Sequence, residues 1–244
     1  MSLTQSDSAE ERALRVHGRI ARDIGIDIVT GRYKPGDVLT GEVAASDELN
    51  VSRTAYREAV RILAAKGLVQ SRPKIGTRVS PVADWHLLDP DVLAWIFEHK
   101  PDPAQLAALF ELRRIVEPEA ASLAARRRND THLAMMRAAL QGMETHTLNT
   151  EAGRQADQDF HAALLDAAGN PFLASLTSGV GAAIAWTTVF KQRKGPLKRN
   201  AMPDHVRVFE AVTAGDAAAA HRAMAELIDM AFHDTTDLAA EAID

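Results

Sequence analysis

Apolar residues recur at helical spacing through the first quarter of the chain and then give way to two short alternating runs. The apolar series in residues 13–31 ends at a glycine, and a Lys-Pro-Gly turn soon follows. Ser52 is placed to cap the next long helix, and Gly67 suits its end. The predicted elements are helices at about residues 13–31, 41–49 and 53–66, and strands at 68–71 and 77–80. Three helices and a hairpin predict a winged helix-turn-helix fold.

Beyond residue 89 the apolar pattern indicates helices alone, whereas the periodicity lapses between Pro81 and Asp89. The predicted helices lie at roughly 90–99, 103–128, 130–147, 151–168, 171–191, 203–214 and 216–240. We therefore expect a mainly α protein with a winged helix-turn-helix domain at 10–81, a linker at 82–89 and an all-helical bundle at 90–240.

Composition is typical of an ordinary globular protein. Hydrophobic residues make up 46% and charged residues 25%, and no run of 18 apolar residues lacks a charge. The polar first dozen residues lack the apolar centre of a secretory signal, so we expect a cytoplasmic protein that spans no membrane. The chain has no cysteine, which excludes disulfides, thiolate nucleophiles and cysteine-based metal sites. Any metal must be held by nitrogen and oxygen ligands.

Charge is distributed unevenly along the chain. The formal net charge is −5, which by itself argues against a nucleic-acid partner. Residues 51–80, however, hold seven basic residues against one acidic residue, a local charge of +6, so the remainder sums to −11. This asymmetry is typical of a basic DNA-binding module attached to an acidic body.

Three arginines mark one face of the helix predicted after Ser52. Arg53, Arg57 and Arg61 recur every four residues and so occupy a stripe about 80° wide. The hydroxyls of Ser52 and Thr54 lie at the N-terminal end, the part of a recognition helix that enters the major groove. Arginine pairs with guanine edges and with phosphates. The alternative is a solvated helix face, which the neighbouring short helix and basic hairpin disfavour.

The predicted hairpin loop carries further candidates for DNA contact. Gly76 permits a close backbone approach at the tip, and Arg72 and Lys74 can reach phosphates or the minor groove. The predicted DNA-binding residues are Ser52, Arg53, Thr54, Arg57, Arg61, Lys74 and Gly76.

Two charged residues fall within the apolar stripe of the helix predicted over 103–128. Arg113 and Glu117 lie four residues apart, and inward-facing charges need compensation. One interpretation is an ion pair within the helix or a polar lock between helices. The other places Arg113 in a pocket, where it clamps a ligand carboxylate. Both interpretations remain open.

Asp157 and His161 share a face with apolar residues on the helix predicted over 151–168. An Asp and a His four residues apart can present two ligands to one metal ion, and His205 also faces inward from a later helix. The alternative is a structural hydrogen bond between the Asp and the His.

Three short motifs in the N-terminal third are specific: VSRTAYREAVRIL at 51–63, GLV at 67–69 and GTRV at 76–79. Together they resemble the signature of GntR-type bacterial transcription regulators. The resemblance implies that residues 52–54 and Arg57 contact an operator and that the wing around Gly76 enters the minor groove. Relatives commonly carry an arginine where this chain has Val43.

Further motifs follow in the helical part, namely ELR at 111–113, VEP at 116–118, DQDFH at 157–161, GNP at 169–171 and DH at 204–205. They resemble the FCD effector domain of the FadR subgroup, and with the N-terminal motifs the resemblance covers about residues 14–237. It implies that Arg113, Asp157, His161 and His205 bind the effector.

In metal-binding members of that subgroup an Asp and three His hold a divalent cation that anchors a carboxylate ligand. Asp157, His161 and His205 match three of these ligands, but Leu227 occupies the position of the last His. His221 lies about 120° away around the helix, which makes it a poor replacement. The resemblance implies one divalent ion, zinc or similar, completed by water or effector. The alternative is that these groups bind the effector without a metal.

The stretch WHLLDPDVLAW at 85–95 is similar to that of sugar-acid-responsive members. The resemblance thus implies a homodimeric repressor whose affinity for a palindromic operator in double-stranded DNA is controlled by a small carboxylate, a sugar acid such as galactonate or gluconate. One alternative is a metal-dependent hydrolase that uses Asp157, His161 and His205. Another is a ligand-independent architectural DNA-binding protein.

Overall fold

The structure is a computed structural model of the 244-residue chain, and it describes residues 3–72, 75–98, 102–192 and 199–240, with side chains described between residues 16 and 236 of those ranges. The chain divides into two compact units, Met1–His99 and Lys100–Asp244. Within the described part, no helix combines the length and apolar character needed to cross a membrane. The mainly helical fold that the sequence predicts is confirmed.

The N-terminal unit contains a helical bundle with a two-stranded hairpin. Its elements are α1 (Leu3–Val29), α2 (Glu42–Glu48), α3 (Arg53–Ala65), β1 (Val69–Arg72), β2 (Gly76–Val79), a 3-10 turn (Val82–Asp84) and α4 (Pro90–Glu98). The strands pair antiparallel, with Val69 opposite Val79 and Arg72 opposite Gly76. Helix α1 packs against α3, and α2 packs against α3. This is the winged helix-turn-helix arrangement.

Local sequence determines where α3 begins and ends. Ser52 has extended backbone, and its Oγ accepts the N–H of Ala55 at 3.1 Å, which satisfies a donor of the first turn. Gly67 follows the helix with a φ of +73°, a left-handed conformation that glycine adopts without strain. A Cβ at this position would also collide with the carbonyl oxygen of Asp84.

Residues after the hairpin are attached to the N-terminal unit through Lys66. Its ammonium lies 2.7 Å from Asp89 Oδ1, 2.8 Å from Asp91 Oδ2 and 5.6 Å from the ring centre of Trp95. Helix α4 therefore belongs to this unit, whereas the sequence pattern predicted a linker at 82–89 and a second domain from residue 90. Pairings between residues distant in sequence leave no trace in the apolar periodicity, which accounts for the difference.

The C-terminal unit is entirely helical in its described part. Its elements are α5 (Pro103–Arg127), α6 (Asp130–His146), α7 (Glu151–Ala167), α8 (Pro171–Ala174), α9 (Thr177–Gln192), α10 (Met202–Ala214) and α11 (Ala217–Ala240). Helix α5 is central and packs against α7, α10 and α11, while α7 also packs against α6 and α9. Large side chains that are fully buried here include Phe110, Phe160, Met136, Met143, Leu164, Leu165 and Met224.

One helix predicted over 171–191 is divided into α8 and α9. The Ser175 hydroxyl donates to the carbonyl of Phe172 at 2.7 Å, and the N–H of Leu176 bonds three residues back to Leu173. A serine that bonds to nearby backbone offers an alternative to the regular helical ladder. The helix therefore ends at Ala174 and resumes at Thr177.

Candidate functional site

Helix α3 presents exposed cationic side chains to solvent. Arg53, Thr54 and Arg57 are exposed, and the side chains of the two arginines form no hydrogen bond or ion pair with any residue that the structure describes. Arg61 is exposed too, but its Nη1 lies 2.6 Å from Glu58 Oε1. Two of the three predicted arginines are thus free to bind an anion.

The opposite face of α3 is fixed in the core of the N-terminal unit. Tyr56, Ala59, Val60 and Leu63 are buried, and the Tyr56 hydroxyl donates to the carbonyl of Thr40 at 2.9 Å. Because buried and exposed positions alternate with the helical period, this packing turns the arginines outward.

The hairpin adds a second basic surface. Arg72 is exposed, and Gly76 has a φ of +95° at the turn; Lys74 lies outside the described residues. Sequence analysis did not select Arg78, which lies opposite Gln70 and whose Nε is buried without a hydrogen-bond partner among the described residues. Strand alternation could have indicated it, since Gln70 shares one hairpin face with both Arg72 and Arg78.

The C-terminal unit holds a group of buried charged and polar residues that we call the buried polar cluster: Arg113, Glu117, Asp157, His161 and His205. Each is at least 95% buried. Helix α5 carries the first two, α7 the next two and α10 the last. A spacing of four residues places each pair on one helix face. The structure therefore brings together all four effector-binding residues that the sequence predicts, and adds Glu117.

Glu117 links Arg113 to His161. Its Oε1 lies 2.6 Å from Arg113 Nε, and its Oε2 lies 2.5 Å from His161 Nδ1. The first of these contacts is the ion pair that one interpretation of the sequence proposed. The terminal guanidinium nitrogens of Arg113 donate no hydrogen bond to any described residue, so that end of the side chain is available to a ligand.

Asp157 is the point on which the two histidines converge. Its Oδ1 lies 2.9 Å from His205 Nε2 and 3.8 Å from His161 Nε2. On the far side of its ring, His205 Nδ1 lies 2.9 Å from the carbonyl oxygen of Ala201. A carbonyl only accepts hydrogen bonds, so Nδ1 carries the hydrogen, and Nε2 of the neutral ring is an acceptor. The Glu117 carboxylate, whose Oε2 lies close to His161 Nδ1 without aligned hydrogen-bond geometry, favours the same tautomer in a neutral His161 ring.

These tautomers direct three lone pairs towards one point. One ligand atom from each of Asp157, His161 and His205 lies within 4.8 Å of the others. Asp157 Oδ1 and His205 Nε2 are buried without an aligned hydrogen-bond partner among the described residues, although they lie close together. Converging acceptors repel one another unless a proton or a metal cation lies between them. The donor set therefore fits a divalent ion that prefers nitrogen and oxygen ligands.

Neighbouring charges control the ionisation of the cluster. Burial raises the pKa of Asp157, but His205 and other nearby cations outweigh burial and lower it to about 2. Burial likewise opposes the charge of Glu117, whose pKa is lowered to about 2 by Arg113 and His161. Burial lowers the pKa of His205, and Asp157 more than reverses that effect, which favours the protonated ring when no metal ion takes the place of the proton on Nε2. Both carboxylates are therefore anionic at neutral pH.

The structure supplies no fourth protein ligand from α11 in its described part. Leu227 is buried and carries no donor atom. His221 lies at the surface, with Nε2 3.4 Å from Glu119 Oε1, so it does not replace the missing histidine. Three protein ligands leave coordination positions for an exogenous group.

Comparisons with protein families agree with this two-unit organisation. Residues 17–79 match the model of bacterial regulatory proteins of the gntR family, and residues 108–230 match the FCD domain model. Two solved structures share the fold. One is E. coli McbR/YncC, with a TM-score of 0.53, 16% identity and coverage of 94% of this chain and 99% of that one. The other, from work on Lar and the Listeria monocytogenes agr system, has a TM-score of 0.66, 18% identity and coverage of 90% and 96%.

Similar sequences include several named regulators. The galactonate operon transcriptional repressor of Escherichia coli K12 is 33% identical over 213 residues, or 86% of this chain and 92% of that protein. The regulator LutR of Bacillus subtilis 168 is 33% identical over 202 residues, or 81% and 90%. The Uxu operon transcriptional regulator of E. coli K12 is 29% identical over 175 residues, or 70% and 65%.

Proposed function

Since the chain belongs to the GntR family of bacterial transcriptional regulators and carries an FCD domain, we propose that it is a repressor whose operator affinity is controlled by a sugar acid such as galactonate or gluconate. The chain is a regulator and not an enzyme, because its family and its relatives are transcriptional regulators. The hydrolase alternative therefore has no support.

DNA recognition is assigned to α3 and the hairpin. The guanidiniums of Arg53 and Arg57 are exposed and unpaired among the described residues, which supports this assignment because each can form two hydrogen bonds with a guanine edge in the major groove. Arg61, which forms an ion pair with Glu58, contacts a phosphate. Ser52 and Thr54 bond to the backbone or to bases at the N-terminus of the helix, and Lys74 and Gly76 approach the minor groove.

Effector recognition is assigned to the buried polar cluster. The convergence of three buried acceptor atoms beside Arg113 is the observation that carries this proposal. Asp157, His161 and His205 hold one divalent ion, zinc or similar, which supplies electrostatic attraction for a carboxylate. Glu117 keeps the His161 ring oriented through Nδ1. The free end of Arg113 forms charge-assisted hydrogen bonds to the same carboxylate.

Regulation follows from a homodimer with one recognition helix per chain. Two such helices fit two half-sites of a palindromic operator, about one helical turn of DNA apart. An effector changes operator affinity only if it binds one arrangement of the dimer more tightly than the other. We expect effector binding to favour the arrangement that releases DNA.

An operator-binding experiment tests the two halves of this proposal separately. Affinity for the DNA upstream of the protein's own gene is measured with and without a panel of sugar acids. We expect specific binding, and release by at least one acid. Binding that no acid changes would leave a DNA-binding protein without a sugar-acid effector. Absence of specific binding would contradict the repressor assignment.

Arginine variants test the DNA interface. R53A and R57A each remove one bidentate base contact of roughly 1 to 3 kcal/mol from each chain, so the dimer is expected to lose about 2 to 6 kcal/mol, or about 30-fold or more in operator affinity. R61A, which removes a paired arginine, is the matched comparison. It is expected to lower the affinity for all DNA sequences alike, and by less than R53A or R57A lowers operator affinity. Equal effects from the three variants would show that the helix does not distinguish bases through Arg53 and Arg57.

Metal removal tests the cation site. Protein from which a chelator has removed the metal is expected to melt at a lower temperature. Zn²⁺ added at 100 times its dissociation constant is expected to raise the free energy of unfolding by about 2.7 kcal/mol. H205A removes a ligand and is expected to abolish this response, whereas H221A alters a surface histidine and keeps it. An unchanged Zn²⁺ response in H205A would contradict the site.

A further inference from the structure

Lys191 lies on the inward face of α9, a helix that packs against helix α7 of the buried polar cluster. Ile184, Thr187, Thr188 and Lys191 fall at helical spacing within one stripe, and the first three are buried. Lys191 is partly buried. Helix α9 packs against α7, which carries Asp157, and against α11. The lysine is thus the last residue of an interior face and not part of a solvated one.

The ammonium of Lys191 stands without a direct partner among the described residues. It forms no hydrogen bond or ion pair with any residue in the described part of the chain. Burial lowers its pKa, and the charges of Asp234 and Asp157 only partly oppose that effect, while those of Arg113 and Arg199 add to it. A lysine held among other charges without a direct partner is an unfavourable arrangement that a bound anion would relieve.

The neighbouring charges are already matched among themselves. Arg113 is paired with Glu117, and Arg199 is paired with Asp234 at 2.8 Å and also with Asp204. Asp157 faces His205 and the proposed cation. Each of these groups has an opposite charge, so among the described residues none is left to pair directly with Lys191.

We propose that Lys191 is a further cation of the effector site, beside the divalent ion and Arg113, and that within the proposed sugar-acid class the site favours a molecule with a second anionic group. This inference rests on the proposed function, in which the first carboxylate is bound at the buried polar cluster. Lys191 pairs with the other end of the molecule, so the site prefers an acid with two negative charges over an acid of the same length with one.

Two pairs of probes differ in that feature alone. Galactarate carries a carboxylate at C6 where galactonate carries a hydroxymethyl group, and glucarate differs from gluconate in the same way. Titration calorimetry with the full-length, zinc-loaded protein at pH 7 compares the members of each pair. We expect the diacid of at least one pair to bind ten times more tightly than its monoacid.

Variants assign the preference to Lys191. K191M is expected to lose the tenfold preference with little change in monoacid affinity, and K191R to keep most of it. K34M, which removes an exposed lysine of the N-terminal unit, controls for net charge. The melting temperature without ligand verifies that K191M folds, and the wild-type preference tests the inference even where the variant does not fold.

The possible failures are distinguishable. If monoacids bind as tightly as diacids, or if K191M keeps the wild-type preference, the role of Lys191 is contradicted while the effector class stands. If K191M weakens both members of a pair equally, Lys191 contacts the shared end and the second anionic group is excluded. If neither member of either pair binds, this inference and the sugar-acid effector fail together.

Discussion

At the scale of single residues, Glu117 connects the charge balance of the C-terminal unit to its candidate ligand site. One oxygen of its carboxylate faces Arg113 and the other faces His161, and the side chain is completely buried. A buried ion pair adds little stability compared with apolar residues, but the loss of one partner leaves a costly unpaired charge. Loss of the Glu117 carboxylate would therefore leave the charge of Arg113 unbalanced and remove the contact with His161.

E117Q is expected to lower the free energy of unfolding by about 3 to 5 kcal/mol, because it leaves Arg113 buried without a counter-charge. Urea unfolding followed by circular dichroism measures the change. E58Q is the matched control, since it breaks the exposed pair with Arg61, and its expected cost is about 0 to 1 kcal/mol. Similar costs for the two variants would show that Glu117 does not compensate Arg113.

Alanine substitutions at Gly31 and Gly67 distinguish the cost of a left-handed backbone from the cost of a steric collision. Gly67 and Gly31 both have left-handed backbone, but a Cβ on Gly67 would meet the carbonyl of Asp84, whereas one on Gly31 meets no atom within 4 Å. G31A is expected to cost about 1 kcal/mol for the left-handed conformation, and G67A about 3 kcal/mol or more. Thermal melting compares them, and equal losses would contradict the close packing of residue 84 on residue 67.

At the scale of elements, the end of α3 is joined to the start of α4 by charge. Lys66 contacts Asp89 and Asp91, and Asp89 Oδ1 also accepts the backbone N–H groups of Asp91 and Val92 at the start of α4. Asp89 thus acts both as a helix cap and as an ion-pair partner. The ion pair holds α4 to the N-terminal unit, in which α4 packs against α1.

D89N keeps the helix cap and removes the charge, so its effect on stability measures the contribution of the ion pair alone. Burial raises the pKa of Asp89, but its bonds with Lys66 and backbone N–H groups outweigh burial and lower it. A lowered pKa means stability that is present above the ordinary value of about 3.9 and is lost as the pH falls below it. We expect D89N to cost about 1 kcal/mol at pH 7 and progressively less below pH 4.

Unfolding midpoints between pH 3 and pH 7 measure this dependence. D91N is the matched variant, because Asp91 contacts the same ammonium but is mostly exposed, and its expected cost is smaller at every pH. A D89N cost that does not change with pH would assign the effect to capping and not to charge.

At the scale of the whole molecule, the basic DNA-binding segment and the acidic remainder have separate electrostatic roles. Residues 51–80 carry a charge of +6 within a chain whose net charge is −5. Phosphate contacts by the basic segment release counterions and make affinity depend on salt. Because like charges repel, we expect the acidic remainder to limit binding to DNA outside that surface.

Operator affinity is expected to fall by about 10³-fold or more between 50 mM and 200 mM salt, as it does for a dimer with six or more phosphate contacts. Fluorescence anisotropy with labelled operator measures the slope. The R61A variant, proposed to lose one phosphate contact per chain, is expected to reduce the slope by about 2 per dimer. A slope near zero would contradict binding through the basic surface.

Sequence alone determined the fold class, because the apolar period, helix caps and turn glycines act locally. The recognition helix, the hairpin and the helices of the C-terminal unit lie within a few residues of their predicted bounds, with the division of 171–191 as the exception. The inward placement of Arg113, Asp157, His161 and His205 also followed from helical spacing, since a residue's face depends only on its position in the helix.

Only the tertiary structure decided which of those inward groups meet. Spacing cannot show that Glu117 on α5 lies 2.5 Å from His161 on α7, or that Lys191 on α9 has no direct partner in the part of the chain that the structure describes. It also cannot show that Lys66 holds residues 89–95 to the N-terminal unit. Such contacts depend on the packing of distant helices, which periodicity does not encode, and they determine the charges that make the cluster a candidate ligand site.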